Sequence, residues 1–209
     1  MDLRVEDVQV PPVLRRATFQ IGGGITLMDG PDPRAGTAVL RVIAQVKAPA
    51  AGQVWWNGAL SIRRRSGPHL GYLPNLKTAW FPEGVRVGET LDYFARLWLV
   101  SDVTDARQRE LDRWGLRDRA HDRVDELSWG FQKRLGLAVS LVMNPLVWIA
   151  DEPYAGLDRD GRLVLTEYLV RRFHHGLALI QDHTAEHSIP WRYRLRAEEG
   201  TVVPSIPAR

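Results

Sequence analysis

From Met1 to Asp7 charged and aliphatic residues alternate, and residues 2–10 and 13–21 read as two strands separated by Pro11-Pro12. Gly22-Gly23-Gly24 marks a turn before a short apolar strand at 25–28. Residues 39–44 have a helix-like pattern, 52–58 read as strand and turn, and another short strand ends at Gly71-Tyr72-Leu73-Pro74. Between Gly88 and Trp114 the apolar residues Leu91, Phe94, Ala95, Trp98, Leu111 and Trp114 recur at three- and four-residue steps, which predicts helices. The helical pattern returns from Ser128 to Val142 and stops at Pro145. Residues 146–150 then form a continuous apolar run closing on Asp151-Glu152, as a strand buried on both faces would. A helix over about 159–173, an apolar strand at 177–180 and a terminal hairpin over 192–204 complete the pattern. Strand and helix alternate, so the expected fold class is α/β: a β-rich N-terminal part, a helical subdomain over about 88–143, and one domain spanning 1–209.

Composition narrows the function classes without choosing one. With 44% hydrophobic and 25% charged residues over 209 positions the chain is ordinary for a globular protein with one sizeable core. A formal charge of +3 points only weakly to anionic partners, and no nucleic-acid partner is expected. The chain has no cysteine, which excludes disulfides and thiolate metal sites. The most apolar stretch, 135–150, is interrupted by Asn144-Pro145 and is shorter than the roughly 20 residues that cross a bilayer. The N-terminus lacks the basic and apolar blocks of a secretory signal, so a cytoplasmic location is expected. Arg63-Arg64-Arg65 reads as a solvated loop able to touch phosphate or headgroups.

Candidate chemistry concentrates in the second half. Leu127-Ser128-Trp129-Gly130-Phe131-Gln132-Lys133-Arg134 precedes an apolar helix, the run ending in Asp151-Glu152-Pro153 follows, then Ala155-Gly156-Leu157-Asp158, and a second apolar strand leads to His183. Taken singly, paired acids at a strand end are common as a surface turn or helix cap, and a lone histidine says little. In this order and spacing the elements resemble the ATP-binding-cassette (ABC) ATPases. The resemblance implies a P-loop NTPase fold of that type, with ATP and Mg2+ as cofactors. It makes Ser128 and Gly130 part of a signature that meets the nucleotide of an opposite subunit. Asp151 becomes a magnesium ligand, Glu152 the carboxylate beside the attacking water, Asp158 a D-loop residue and His183 the switch histidine. Gly71-Tyr72-Leu73-Pro74-Asn75 resembles the Q-loop, with Asn75 one methylene shorter than the family's glutamine. Trp80-Phe81-Pro82 and the apolar helix from Leu91 onward could line a groove for a membrane partner, or be ordinary helix core.

The first half departs from that family. Its phosphate-binding loop, G-x-x-x-x-G-K-[ST], presents backbone amides and a lysine to phosphate. Aligning Gly30 and Thr37 with that pattern makes both nucleotide-binding candidates, Thr37 also a metal ligand, and places Ala35 at the second glycine and Gly36 at the lysine. Pro33 lacks an amide hydrogen, and Asp32 adds negative charge. Without the resemblance this stretch is a proline-rich turn. The aromatic that stacks on adenine is not evident between Val8 and Arg16, and Arg34 or Arg41 could restore some charge, although neither occupies the lysine's position and a guanidinium fork is not a compact ammonium. Losing a charged hydrogen bond and a stacking contact together weakens binding roughly a hundred- to ten-thousand-fold. The resemblance therefore implies an exporter subunit with a degenerate own site, peripheral on the inner face of the cell membrane. Its partners would be a transmembrane permease and a second ABC ATPase subunit, as heterodimer more than homodimer. The competing expectation is a non-catalytic cassette scaffold.

Overall fold

The computed structural model describes residues 1–61, 70–75, 81, 84–183 and 189–205. Its strands and helices run in the order β1 (Asp2–Val10), β2 (Leu14–Gly22), β3 (Gly24–Asp29), α1 (Pro33–Ile43), β4 (Ala51–Trp56), β5 (Ala59–Leu60), β6 (Leu70–Leu73), α2 (Val87–Leu97), α3 (Val103–Arg113), α4 (Trp129–Leu141), β7 (Val147–Asp151), α5 (Arg159–Arg172), β8 (Leu177–Gln181), β9 (Tyr193–Glu198) and β10 (Thr201–Pro204). The Arg63-Arg64-Arg65 run and Trp80 and Pro82 lie outside the described residues.

All ten strands join one sheet in the order β5-β4-β1-β2-β10-β9-β3-β8-β7-β6. The N-terminal strands β2, β1, β4 and β5 pair antiparallel, whereas β9, β3, β8, β7 and β6 run parallel. The hairpin β9–β10 joins the halves, because β10 is antiparallel to β9 and parallel to β2. Strand β7 shows why the middle of the sheet reads as unbroken apolar sequence: all five of its residues are buried. Its side chains alternate, with Val147 and Ile149 joining the cluster under α1, and Trp148 and Ala150 joining the cluster under α4 and α5. Helices therefore cover both faces of the parallel half. Ala95 of α2, Ala106 of α3 and Val142 beyond α4 make a third, smaller cluster. No helix among the described residues is long and apolar enough to cross a membrane.

One element differs from the sequence reading. Helix α1 begins at Pro33, in the stretch that reads as a proline-rich turn, and not at residue 39. Pro33 stands in the first turn, where a missing amide hydrogen costs nothing and a fixed φ helps. Asp32 caps that turn by accepting the Ala35 N–H at 3.2 Å. In consequence β3, β7 and β8 bring Asp29, Asp151 and Gln181 to the same sheet edge, beside the start of α1, the crevice in which open α/β sheets bind ligands.

The seam between α4 and β7 sets the height of that edge. Buried Trp148 donates its indole N–H to buried Ser140 Oγ at 3.1 Å and stacks on Phe173. Ser140→Ala would leave that N–H without its acceptor, so we expect a loss of about 1–3 kcal/mol in a urea melt at unchanged m-value, whereas Ser140→Thr should recover most of it.

Candidate functional site

At the edge where β3 ends, Gly30 adopts φ +126°, and a side chain there would run into the Ala197 carbonyl. The two residues that follow do not form an open ring of amides. Asp32 donates its own N–H to Ala197 O at 3.2 Å. Its carboxylate accepts from Ala35 N–H through Oδ1 and from Gly200 N–H at 2.8 Å through Oδ2. The carboxylate that the sequence places near a phosphate is thus itself bound to one amide of the helix start, that of Ala35. Gly36 is buried one turn later, and any side chain on it would collide with the Gln181 amide. That amide donates to Pro33 O at 2.9 Å and lies 3.4 Å from Thr37 Oγ1. A small residue at position 36 is thus matched to a large one at 181.

Thr37, next on α1, donates its hydroxyl to Asp151 Oδ2 at 2.7 Å. Asp151 ends β7 and is fully buried. Glu152 turns sharply away, with φ +53°, a left-handed conformation that costs a non-glycine residue on the order of 1 kcal/mol. Three hydrogen bonds hold it there: its N–H donates to Gln181 O at 2.7 Å, and its carbonyl accepts from Lys133 Nζ at 2.6 Å and from the Ala155 N–H at 3.2 Å. His183 Nε2 lies 3.4 Å from Glu152 Oε1. Burial raises the Glu152 carboxyl above its ordinary range; Asp182 adds to the shift and His183 opposes it.

Lys133 comes from the second turn of α4 and is only 1% exposed. Burial pushes its ammonium down to about 8, while Asp182, Asp151 and Glu152 pull the other way. The buried carboxylate of Asp182 accepts the Tyr154 N–H at 2.9 Å. One buried cation thus faces three acids at the ends of β7 and β8.

Ser128, Gly130 and Asp158 make a second patch. Ser128 precedes α4 as its cap residue, is exposed, and makes no side-chain capping bond; the first turn of α4 holds no acid. Trp129 lays its indole against Gly156, whose φ of +79° leaves no room for a side chain. Phe131 packs beneath the Arg119 guanidinium, 4.3 Å from its ring centroid. Asp158 caps α5 through Gly161 N–H at 2.8 Å and pairs with Arg134 at 2.6 Å. Those two bonds hold its carboxyl below the usual range. Its side chain is engaged in joining α4 to α5.

Asn75, just beyond β6, lines a cleft of about 290 Å³ together with Thr37 of α1. The structure therefore groups Gly30, Gly36, Thr37, Asn75, Asp151, Glu152 and His183 around the C-terminal ends of the parallel strands. Lys133, Gln181 and the capping role of Asp32 are additions that the sequence reading missed. Lys133 stands in the polar run Gln132-Lys133-Arg134, so no local signal marks its burial. The residues fit ATP and magnesium unevenly. The hard oxygens of Thr37 and Asp151, 2.7 Å apart, suit a divalent cation. At the loop itself Asp32 takes the Ala35 amide, and the Gln181 amide stands against Gly36, the position aligned with the family's lysine.

Beyond geometry, the family model described as ABC transporter matches residues 23–155, more than half of the chain. The chain belongs to the ATP-binding subunits of ABC transporters. A "cytochrome c biogenesis ATP-binding export protein CcmA" from Ruegeria pomeroyi is 31% identical over 189 residues, covering 88% of this chain and 85% of that protein. A "phosphonates import ATP-binding protein PhnC 2" from Oceanobacillus iheyensis is 28% identical over 178 residues, covering 76% and 68%. A solved dimeric ATP-binding cassette in a post-hydrolysis state, bound to ADP and Pi, superposes with a TM-score of 0.81 at 14% identity over 99% of both chains, which shows the fold. The ABC fold expected from the sequence is the fold observed.

The buried lysine of this cassette gives a pH signature. Below pH 8 both folded and unfolded chains carry the Lys133 proton, so its burial cost is fully present. Between 8 and 10.5 the unfolded chain keeps a proton that the folded chain has released, and stability rises by up to about 3 kcal/mol. Tyr72, Tyr154 and Tyr168, each pushed up to about 12, work in the opposite direction above pH 10. The difference between wild type and Lys133→Met cancels them. We expect that difference, from urea melts at pH 7.5 and 9.5, to shift in favour of wild type as pH rises.

Proposed function

We propose that this subunit couples ATP to transport by an ABC exporter as the dependent half of an asymmetric dimer, beside a second cassette and a transmembrane permease on the cytoplasmic face of the membrane. The observation that carries the reading is the contrast between its two phosphate-facing ends. At α1 the lysine position is Gly36, closed by Gln181, and the Ala35 amide is taken by Asp32. At α4 the helix start is open, with the Ser128 hydroxyl making no capping bond and no acid in the first turn. A helix N-terminus of that kind favours an anion. Such a chain completes a partner's site better than its own. Export is supported by the names of the CcmA relatives, and the phosphonate relative is the counterweight. Nothing in the site encodes the transported substrate, which the permease would select.

A second reading, a cassette kept as a non-catalytic scaffold, is favoured by the Asp32 cap alone. The two separate on Gly130→Asp, which sets a carboxylate at the open end of α4 where the nearest contact, Gly156 O at 3.4 Å, leaves space for it. In a complex with an intact second cassette, we expect that variant to lower ATP hydrolysis roughly a hundredfold or more, the size of losing an anion-stabilising contact. A scaffold would leave the rate unchanged. The dimer reading is overturned if the purified chain alone binds Mg-ATP at micromolar affinity and hydrolyses it as a homodimer.

A further inference from the structure

The closed loop raises the question of where a phosphate chain can go on this subunit. Arg34, Thr37, Ala38 and Arg41 are spaced three and four apart and form one lateral face of α1. That face is one wall of the 290 Å³ cleft. Lys47 stands at its far end, its backbone N–H held to Arg41 O at 3.1 Å, so the chain after α1 folds back along the same wall. Val10 and Val13 supply an apolar end, and Asn75 faces across. Among the described residues the side chains of Arg34, Arg41 and Lys47 enter no hydrogen bond or ion pair. Two acids beside α1 make bonds of their own: Asp32 to the Ala35 and Gly200 amides, and Asp151 to Thr37.

We infer that this subunit binds a nucleoside triphosphate side-on, its phosphate chain lying along the lateral face of α1 between Arg34, Arg41 and Lys47 and not around the helix start. This rests on the reading of the chain as an ABC nucleotide-binding subunit with a defective loop. Three cations on one wall supply more charge than the single missing lysine. Guanidinium forks also suit phosphate oxygens approached from the side. The positions run two helical turns, about 10 Å, which calls for an extended polyanion instead of a single phosphate. In this posture the terminal phosphate is not clasped by loop amides, so the site holds a nucleotide without the loop's grip.

The test is titration of the full chain with Mg-ATP and, separately, with inorganic tripolyphosphate, followed by calorimetry. Arg41→Gln should weaken both ligands about tenfold, and Arg34→Gln with Arg41→Gln about a hundredfold, as expected for charged hydrogen bonds. Arg96→Gln on α2 removes the same charge away from the cleft and should leave affinity within twofold. Circular dichroism melts establish that the exposed arginine variants remain folded. Equal binding of the two ligands assigns recognition to the phosphate chain; tighter ATP binding adds the base, and both support the inference if the arginines matter. It is overturned if the double variant binds like wild type, if Arg96→Gln weakens binding as much as Arg41→Gln, or if neither ligand binds below millimolar concentration. Such a failure leaves the dimer reading standing, because that reading is measured by Gly130→Asp at the partner's site.

Discussion

A single buried ammonium holds the centre of this cassette together. Lys133 enters from α4, donates to the Glu152 carbonyl, and faces Asp151, Glu152 and Asp182 at the ends of two parallel strands. Three carboxylates converging on a buried strand edge would repel one another and drive up one another's pKa values without an interior cation. The ammonium is therefore both the charge balance of the site and the pin that sets α4 on β7. A buried cation is itself costly, and what offsets the cost is the acids around it and the hydrogen bond that it donates at 2.6 Å. The Asp151–Glu152 edge and the start of α4 are in this way one mechanical unit.

The start of α1 shows the complementary principle, that neighbouring residues are fitted to one another by packing. With glycine at 36, the Gln181 amide stands where a side chain would otherwise be and bonds to Pro33 O and toward Thr37. With Pro33 in the first turn, the Ala35 amide needs an acceptor, and Asp32 supplies it while its second oxygen ties the loop to Gly200. These residues make a self-consistent set, so restoring only the lysine would place its side chain against a buried amide.

The elements legible in the sequence are those whose local signals agree with their final environment. The apolar run 146–150 is legible because β7 is buried on both faces, and α4 because its pattern stops at Pro145. Helix α1 was half legible: residues 39–44 show the periodicity, but Pro33 and Gly36 look like breakers, and only the Asp32 cap and the buried seat of Gly36 explain why they are helical. The site acids were found by order and spacing. Lys133 was not, since its role depends on β8 returning beside β7 to bring Asp182 near, a long-range fact no local window carries. Of the cationic cleft the sequence shows Arg34 and Arg41 as candidate charges, but neither Lys47's place nor the apolar end, which is built from β1 and the loop before β2.

Which retained residues speak for chemistry can be decided by asking which also have a folding role. Asp151 anchors Thr37, Asp158 caps α5 and holds Arg134, and Asp182 fixes the Tyr154 turn. Each would be kept in a cassette that never met a nucleotide. Glu152 is different: it sits in a left-handed conformation that glycine would adopt more readily, and its carboxyl is raised by burial. Among the described residues its side chain meets the half-exposed His183 by ion-pair geometry. A strained, partly desolvated carboxylate beside a histidine has no evident return in stability. That pair is therefore the part of the site least explained by folding, and it keeps the catalytic reading ahead of a purely structural one.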